Sequence, residues 1–452
     1  MKVPTKVDGR YAMREICKPD PLLTKLLPPL KPVPGVVYVP SQFALRFEHN
    51  GRQYAFHTMM KQCVEAKLPE QAAAGEGYDE LIQGQFLVPS DRDECAYYNS
   101  VSTLVRTYTR KSGNRGFTIL PTLGCNARCV YCYEEGMKPV SMTPETVEQT
   151  IRFIIDTHIG DTVKLSWFGG EPLLRPDVID RICEGMREAG LEYYSTMITN
   201  GSLITEEIIR KMKTDWKLKR IQVSMDGAEE EYIFRKKYVD YQDYYRSVMR
   251  AVSRMSEEGI HVNIRCNVDT NNMDGIEQFL SDLESGIANK DNESMYLALL
   301  NNARMGDDDL SLWKKVVEFQ EKHKASKIRL GRLIGLRRGF RKSHCMADGN
   351  GVVIAPDGSL YPCEHCPPES RFGDVWNGTT EPSVKDEFCR TDITAEKCRK
   401  CMFLPDCTSF SNCPVKDTHC RELRELVNLS ALRDMIDRAG DGETADDGDA
   451  YC

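Results

Sequence analysis

The 452-residue chain predicts an α/β protein: a parallel sheet, closed or partly closed as a barrel, preceded by a small α+β module and followed by a cysteine-rich segment. Three observations predict it. Between Phe117 and Leu300 short apolar runs alternate with amphipathic helical stretches. Before them, apolar runs flank Asn50-Gly51, a dipeptide that favours a tight hairpin. After them, nine of the eighteen cysteines fall between Cys345 and Cys420.

Residues 1–35 carry Pro28, Pro29, Pro32 and Pro34 and read as an extended arm. From Val36 the pattern turns strand-like: Val36–Pro40, Phe43–Phe47 and Gln53–Phe56. Helical stretches follow, ending over Asp91–Tyr108, and the arm and module together span residues 1–110. The sheet region covers 111–340. Its predicted strands are Phe117–Leu120, Val163–Phe168, Thr196–Thr199, Ile221–Met225, Ile260–Ile264 and Tyr296–Leu300. Helices are expected at Pro144–Thr157, Asp177–Glu188 and Tyr244–Glu258. Residues 322–342 are basic and read either as a solvated helix and loop or as a cationic collar. The cysteine-rich segment covers 341–427, with a helix over 420–438. The remainder, 428–452, is the helix end and an acidic tail (Asp441, Glu443, Asp446, Asp447, Asp449) that reads as disordered.

A net charge of −8 gives no bulk electrostatic case for nucleic acid. No apolar run reaches the length of a membrane span, and Met1–Arg10 lacks the apolar core of a signal peptide. The expected compartment is therefore the cytoplasm. In that reducing setting eighteen cysteines point to metal or iron–sulfur ligation rather than disulfides.

The chemistry concentrates in Thr122–Glu135, where Cys125, Cys129 and Cys132 stand in Cys-x3-Cys-x2-Cys spacing. Three thiolates on one loop can hold three corners of a cubane [4Fe–4S] cluster and leave the fourth iron open to a small molecule. A structural zinc site usually takes four ligands. Gly169-Gly170-Glu171-Pro172 follows the second predicted strand. It is a turn by itself, but there its carbonyls and Glu171 can receive an ammonium group. Thr199-Asn200-Gly201, Ser224-Met-Asp226-Gly227 and Arg265-Cys-Asn-Val-Asp269 sit at later strand ends. Each is open to a bland reading as a capped helix or Asx-turn.

The cysteine loop, with Tyr131 beside its last cysteine, resembles the cluster loop of the radical S-adenosylmethionine (SAM) superfamily; the resemblance covers about residues 115–420. It implies a partial (β/α)6 TIM barrel with chemistry at the carboxyl ends of the strands. It implies that SAM docks on the open iron and is cleaved by one electron to a 5′-deoxyadenosyl radical, which takes a hydrogen from substrate. The SAM contacts it implies are Tyr131, Gly169, Gly170, Glu171, Ser224, Asp226 and Arg265. Arg235 is a further candidate or a solvated charge.

Cys345-x12-Gly358-x4-Cys363, then Cys398-x2-Cys401-x5-Cys407, Cys413 and Cys420 resemble the SPASM domain, which holds two auxiliary [4Fe–4S] clusters. By that analogy Cys398, Cys401, Cys407 and Cys420 hold the outer cluster, and Cys345, Cys363 and Cys413 the inner one. The family usually has three residues where five precede Cys413 here. The inner cluster's fourth thiolate is Cys366, or an iron stays open; structural zinc is the bland alternative. Cys17, Cys63, Cys95, Cys183, Cys266, Cys389 and Cys452 read as buried or incidental thiols.

The N-terminal module resembles the winged-helix-like peptide-recognition element of maturases acting on ribosomally made peptides (the sactipeptide and ranthipeptide type, related to anaerobic sulfatase maturases). Otherwise it is a generic cap over the barrel mouth. The resemblance implies a leader-bearing precursor peptide, three clusters, and a flavodoxin- or ferredoxin-type reductant. The expected product is a thioether from a substrate cysteine. Carbon–carbon crosslinking, epimerisation, decarboxylation and formylglycine formation are alternatives. An iron–sulfur electron carrier or regulator is the alternative outside enzymology.

Overall fold

The computed structural model describes residues 6–7, 10–11, 13–109, 114–132, 134–300, 309–331, 339–340, 346, 349–389, 396–406 and 420–440. Cys345, Cys407, Cys413, Cys452 and the acidic tail lie outside them, as does most of the basic stretch after Gly331.

The arm contains more structure than an extended chain. β1 (Lys6–Val7) and β2 (Arg10–Tyr11) form a hairpin, and β3 (Arg14–Cys17) and α1 (Pro21–Leu26) follow. Asp20 caps α1 by accepting the Leu23 N–H at 2.8 Å, with Pro21 in the first turn where its missing N–H costs nothing. β4 (Val37–Pro40), β5 (Ala44–His49), β6 (Arg52–His57), β7 (Gln62–Glu65), β8 (Ala72–Ala73), α2 (Asp79–Gln83), β9 (Leu87–Pro89) and α3 (Glu94–Thr109) complete the module. Asn50 and Gly51 both take positive φ, as a two-residue hairpin turn demands, so β5 and β6 pair in the expected register. Two sheets result, ordered β3-β7-β6-β5 and β8-β4-β9.

The central region is a run of parallel strands: β10 (Gly116–Ile119), β11 (Val163–Trp167), β12 (Tyr193–Thr199), β13 (Leu218–Ser224), β14 (His261–Val268), β15 (Glu293–Leu299) and β16 (Arg329–Gly331). Between them lie α4 (Pro144–Thr157), α5 (Pro176–Glu188), α6 (Glu206–Thr214), α7 (Glu229–Lys236), α8 (Tyr245–Glu257), α9 (Ile276–Gly286) and α10 (Asp309–Lys322). The six expected strands are present, and β16 extends the run. On the other side, β17 (Gly351–Ile354) pairs in parallel with β10 and leads into the antiparallel β18 (Ser359–Tyr361), β19 (Gly373–Asp374) and β20 (Gly378–Thr379). Among the described residues the sheet therefore runs from β16 to β20 without closing. The cysteine-rich segment continues it rather than standing apart. α11 (Pro382–Cys389), α12 (Glu396–Arg399) and α13 (Cys420–Gly440) follow, and the 427/428 boundary read from the sequence falls inside α13.

One face of the parallel sheet is buried against the helices through Leu165, Met197, Ile221, Val223 and Ile264. The alternate residues are half-exposed and mostly polar: Thr118, Ser166, Thr196, Gln222, Ser224, Arg265 and Tyr296. Ser166 and Thr196 share a hydroxyl–hydroxyl bond of 2.9 Å, and Tyr296 donates to Gln222 at 2.8 Å. Parallel sheets are normally covered by apolar packing on both faces; this side is polar and half-exposed instead.

The N-terminal module packs on the cysteine-rich segment and α13. Leu45, Phe47, Tyr54 and Phe56 bury against Phe403, Leu432, Met435 and Ile436. A buried ion pair joins the same two parts: Lys61 Nζ lies 2.5 Å from Asp406 Oδ1, with the side chains 0% and 6% exposed. Removing one partner strands the other charge. Lys61→Met should cost about 3–5 kcal/mol in denaturant-unfolding stability, with Lys61→Met/Asp406→Asn recovering most of it.

Glu293 opens β15 and is 1% exposed; burial pushes its carboxyl up to about 9. The unfolded chain loses that proton near pH ~4.3. Between these values the native state binds more protons, so stability falls as pH rises. Thermal unfolding from pH 5 to about 9 should show this slope, flattened in Glu293→Gln.

Candidate active site

The cysteine loop leaves the carboxyl end of β10 and is held along both sides. On one side Leu123 N–H donates to Val140 O at 2.8 Å, and Gly124 N–H to the Thr122 hydroxyl at 2.9 Å. On the other, Arg128 N–H donates to Lys237 O at 2.9 Å, Val130 N–H to Arg235 O at 3.0 Å, and Val239 N–H to Asn126 O at 2.9 Å. Lys237 ends α7 at φ 48° and so turns the chain back along the loop. Cys125, Cys129 and Cys132 are half-buried.

Gly169 and Gly170 meet this loop backbone to backbone. A Cβ on Gly169 would lie 2.4 Å from Thr122 O, and one on Gly170 2.3 Å from Gly124 O, so only glycine fits at either position. The contact is fixed by Gly170 N–H to Thr122 O at 3.1 Å and Glu171 N–H to Gly124 O at 2.9 Å. Glu171 is fully buried. Its carboxylate accepts from Leu173 N–H at 3.0 Å, the Thr199 hydroxyl at 2.7 Å and Asn200 N–H at 2.8 Å. Burial raises its pKa, opposed by these bonds. Asn200 then donates to Asn126 at 2.9 Å and reaches Cys125 Sγ at 4.0 Å. Glu171 thus links three strand ends from inside the protein.

Asp226 is likewise fully buried. Its carboxylate accepts from the Tyr131 hydroxyl and from Asn267 Nδ2 at 2.9 Å, and it lies 3.2 Å from Lys236 Nζ. The Tyr131 oxygen in turn accepts from Lys236 and Asn267, each at 3.1 Å. Burial raises the Cys129 thiol pKa; the Lys236 charge lowers it by more than Asp226 raises it, and a Tyr131 hydrogen bond lowers it further. Lys236 and Asn267 were not singled out from the sequence. Lys236 stands in Arg235-Lys236-Lys237, which looks like a solvated charge run. Arg235 is buried too, paired at 2.5 Å with Asp269.

Ser224 and Arg265 remain at half-exposed strand ends, side by side in register, with Arg265 Nε bonded to Asn267 Oδ1 at 2.9 Å. Burial lowers the pKa of His365 in the Cys363–Cys366 turn; the neighbouring Glu364 opposes this and Arg265 adds to it more weakly. Cys363 and Cys366 share a small apolar cluster with Phe388, Met346 and Cys389. Cys389, read as a buried or incidental thiol, is half-buried against them. Cys398 and Cys401 are half-buried on the turn ending α12. Cys420 begins α13, and its side chain is outside the description, as are Cys345, Cys407 and Cys413.

Residues 119–283 match the family model of the radical SAM superfamily. The chain is 38% identical over 111 residues to the AdoMet-dependent heme synthase of Methanosarcina barkeri, covering 24% of this chain and 30% of that protein. It is 22% identical over 270 residues to the antilisterial bacteriocin subtilosin biosynthesis protein AlbA of Bacillus subtilis, covering 57% and 56%. The chain thus spans about a third to a half of these curated relatives. Among solved structures, anSMEcpe with bound AdoMet superposes with a TM-score of 0.58 at 20% identity, over 72% of this chain and 99% of that one. Streptococcus suis SuiB bound to S-adenosylmethionine superposes with a TM-score of 0.51 at 12% identity, over 85% and 99%.

The donor set fits the superfamily's [4Fe–4S] cluster. Three thiols share one loop, and Cys125 Sγ already accepts the Ala127 N–H at 3.4 Å, as a cluster-bound sulfur does. Among the described residues no three His, Cys, Asp or Glu converge on a single metal ion; thiols that each bind a different iron have no need to. Gly170→Ala should break the loop's support: a methyl forced against backbone strains the site by about 1–3 kcal/mol. Iron retained after anaerobic reconstitution should drop well below wild type, while circular dichroism stays unchanged.

Proposed function

We propose that this chain is a radical SAM enzyme that modifies a ribosomally made peptide. The observation that carries the reading is the cysteine loop, braced at the carboxyl edge of a parallel sheet whose other face is polar and half-exposed. A small apolar substrate has little use for such a surface. An extended peptide can bond along it.

In this reading Cys125, Cys129 and Cys132 hold the SAM cluster. When bound, cluster and SAM supply a one-electron cleavage that yields a hydrogen-abstracting radical. The Gly169 and Gly170 backbone, Ser224 and Arg265 orient SAM, the Arg265 guanidinium meeting its carboxylate. Tyr131, Glu171 and Asp226 act from within, fixing the strand ends and loop that present those groups. The buried network excludes water beneath the cysteines.

We further propose two auxiliary clusters, one on Cys398, Cys401, Cys407 and Cys420, the other on Cys345, Cys363 and Cys413 with Cys366. The peptide docks through the N-terminal module, which serves as a winged-helix-like recognition element, and a flavodoxin- or ferredoxin-type protein reduces the enzyme. The relatives support a peptide substrate: AlbA is named for bacteriocin biosynthesis, and anSMEcpe has been solved with the Cp18Cys peptide. A thioether is the product we favour: a substrate cysteine bonds to a carbon that has lost hydrogen, and two hydrogens leave per linkage. Among the described residues no helix is long and apolar enough to cross a membrane, and we place the enzyme in the cytoplasm.

Anaerobic reconstitution followed by SAM and dithionite should yield 5′-deoxyadenosine, and Cys129→Ala should reduce the yield to background. A preparation that binds zinc alone, or an unaffected Cys129→Ala variant, would sink this function. Mass spectrometry of a co-expressed precursor should show two hydrogens lost per linkage. Loss of carbon dioxide, or conversion of cysteine or serine to formylglycine, would replace the thioether with that chemistry.

A further inference from the structure

We propose that Lys236 is a positioning residue for electron entry: its ammonium, clamped between Asp226 and Tyr131, is a fixed buried positive charge that makes the cluster on Cys125, Cys129 and Cys132 easier to reduce. The inference rests on the radical SAM reading above.

The geometry leaves the ammonium little freedom. Lys236 is 1% exposed at the last turn of α7. Its Nζ is 3.2 Å from Asp226 Oδ2 and donates to the Tyr131 oxygen at 3.1 Å. Both partners are themselves fixed. Asn267 donates to Tyr131 and to Asp226, and Asn272 donates to the Asp226 carbonyl at 2.8 Å. Tyr131 stands between Cys129 and Cys132, and the carbonyls of Arg235, Lys236 and Lys237 accept loop N–H groups. The charge is therefore attached to the loop that carries the thiolates.

A loop bond alone needs no cation, since backbone and Tyr131 already supply the stitching. Burying an ammonium is costly unless it meets negative charge, and Asp226 answers only part of what surrounds it. Three thiolates around an oxidised cubane carry one net negative charge, and two after reduction. A nearby cation favours the more negative state, and in a dry site it does so more strongly than in water. Asp226, held 3.2 Å from the ammonium, opposes it, so the two charges are separated by variants. The step is one electron from a low-potential donor of the flavodoxin or ferredoxin class into the cluster. No bond changes, and no proton has to follow, because the compensating charge is already in place.

The test is the midpoint potential of the reconstituted full-length protein, read by electron paramagnetic resonance, with iron and sulfide measured in each sample. Lys236→Met should move the midpoint to more negative values, Lys236→Arg should stay near wild type, and Asp226→Asn should move it to more positive values. Because Lys236→Met leaves Asp226 unpaired, Lys236→Met/Asp226→Asn is the folding control, and its midpoint should lie below that of Asp226→Asn. A double-variant midpoint no lower than that of Asp226→Asn at full iron content, or an Asp226→Asn shift in the negative direction, would overturn the role of Lys236. A wild-type chain that holds no cluster would overturn the function instead.

Discussion

The site depends on one close approach of two backbones. Thr122–Gly124 and Gly169-Gly170 lie so near that either glycine's Cβ would overlap a carbonyl oxygen. That contact brings the carboxyl ends of β10 and β11 together. It also drives Glu171 inward to the end of β12, where it bonds Thr199 and Asn200. Asn200 then returns to Asn126 and Cys125. A chain of hydrogen bonds thus starts and ends on the cysteine loop, and each link is a buried polar group whose partner is itself held. Such networks fix one arrangement because every broken bond strands another group in a dry environment.

The second anchor is ionic. Asp226 with Lys236, and Arg235 with Asp269, bury charge at the ends of α7, β13 and β14. Buried pairs are poor sources of stability, so their value here lies in position. They hold Tyr131 and the last turn of α7 against the loop, and hence fix the direction in which Cys129 and Cys132 present their thiols.

Much of this was legible because its signals are local. Cys-x3-Cys-x2-Cys needs only one loop, and the β-α alternation located six strands to within a few residues. Glu171 and Asp226 were read either as ligand contacts or as turn-stabilising carboxylates, and the structure buries both among hydrogen-bond donors. A carboxylate at a strand end reads the same in either role; its orientation follows from groups brought near by other strands, such as Asn200 and Asn267. Lys236 was hidden by its neighbours, since a basic tripeptide on a short helix looks solvated until the cysteine loop is laid across it. β17 was invisible for the same reason: four apolar residues do not announce that they will pair with β10 from more than two hundred residues away.

The N-terminal module gains meaning from what it touches. Its sheet shares an apolar core with Phe403 and α13, the Thr58 hydroxyl donates to Met402 O, and Lys61 pairs with Asp406. Phe403 and Asp406 follow Cys398 and Cys401 directly in the chain and precede Cys407. Asp20, which caps α1, also accepts the Phe340 N–H at 2.8 Å, at the residue just before that segment begins. Packed cores and buried ion pairs do not stretch gradually; they hold or they rearrange. A strand added to or pulled from the module therefore acts on the same packed body that carries the C-terminal thiols.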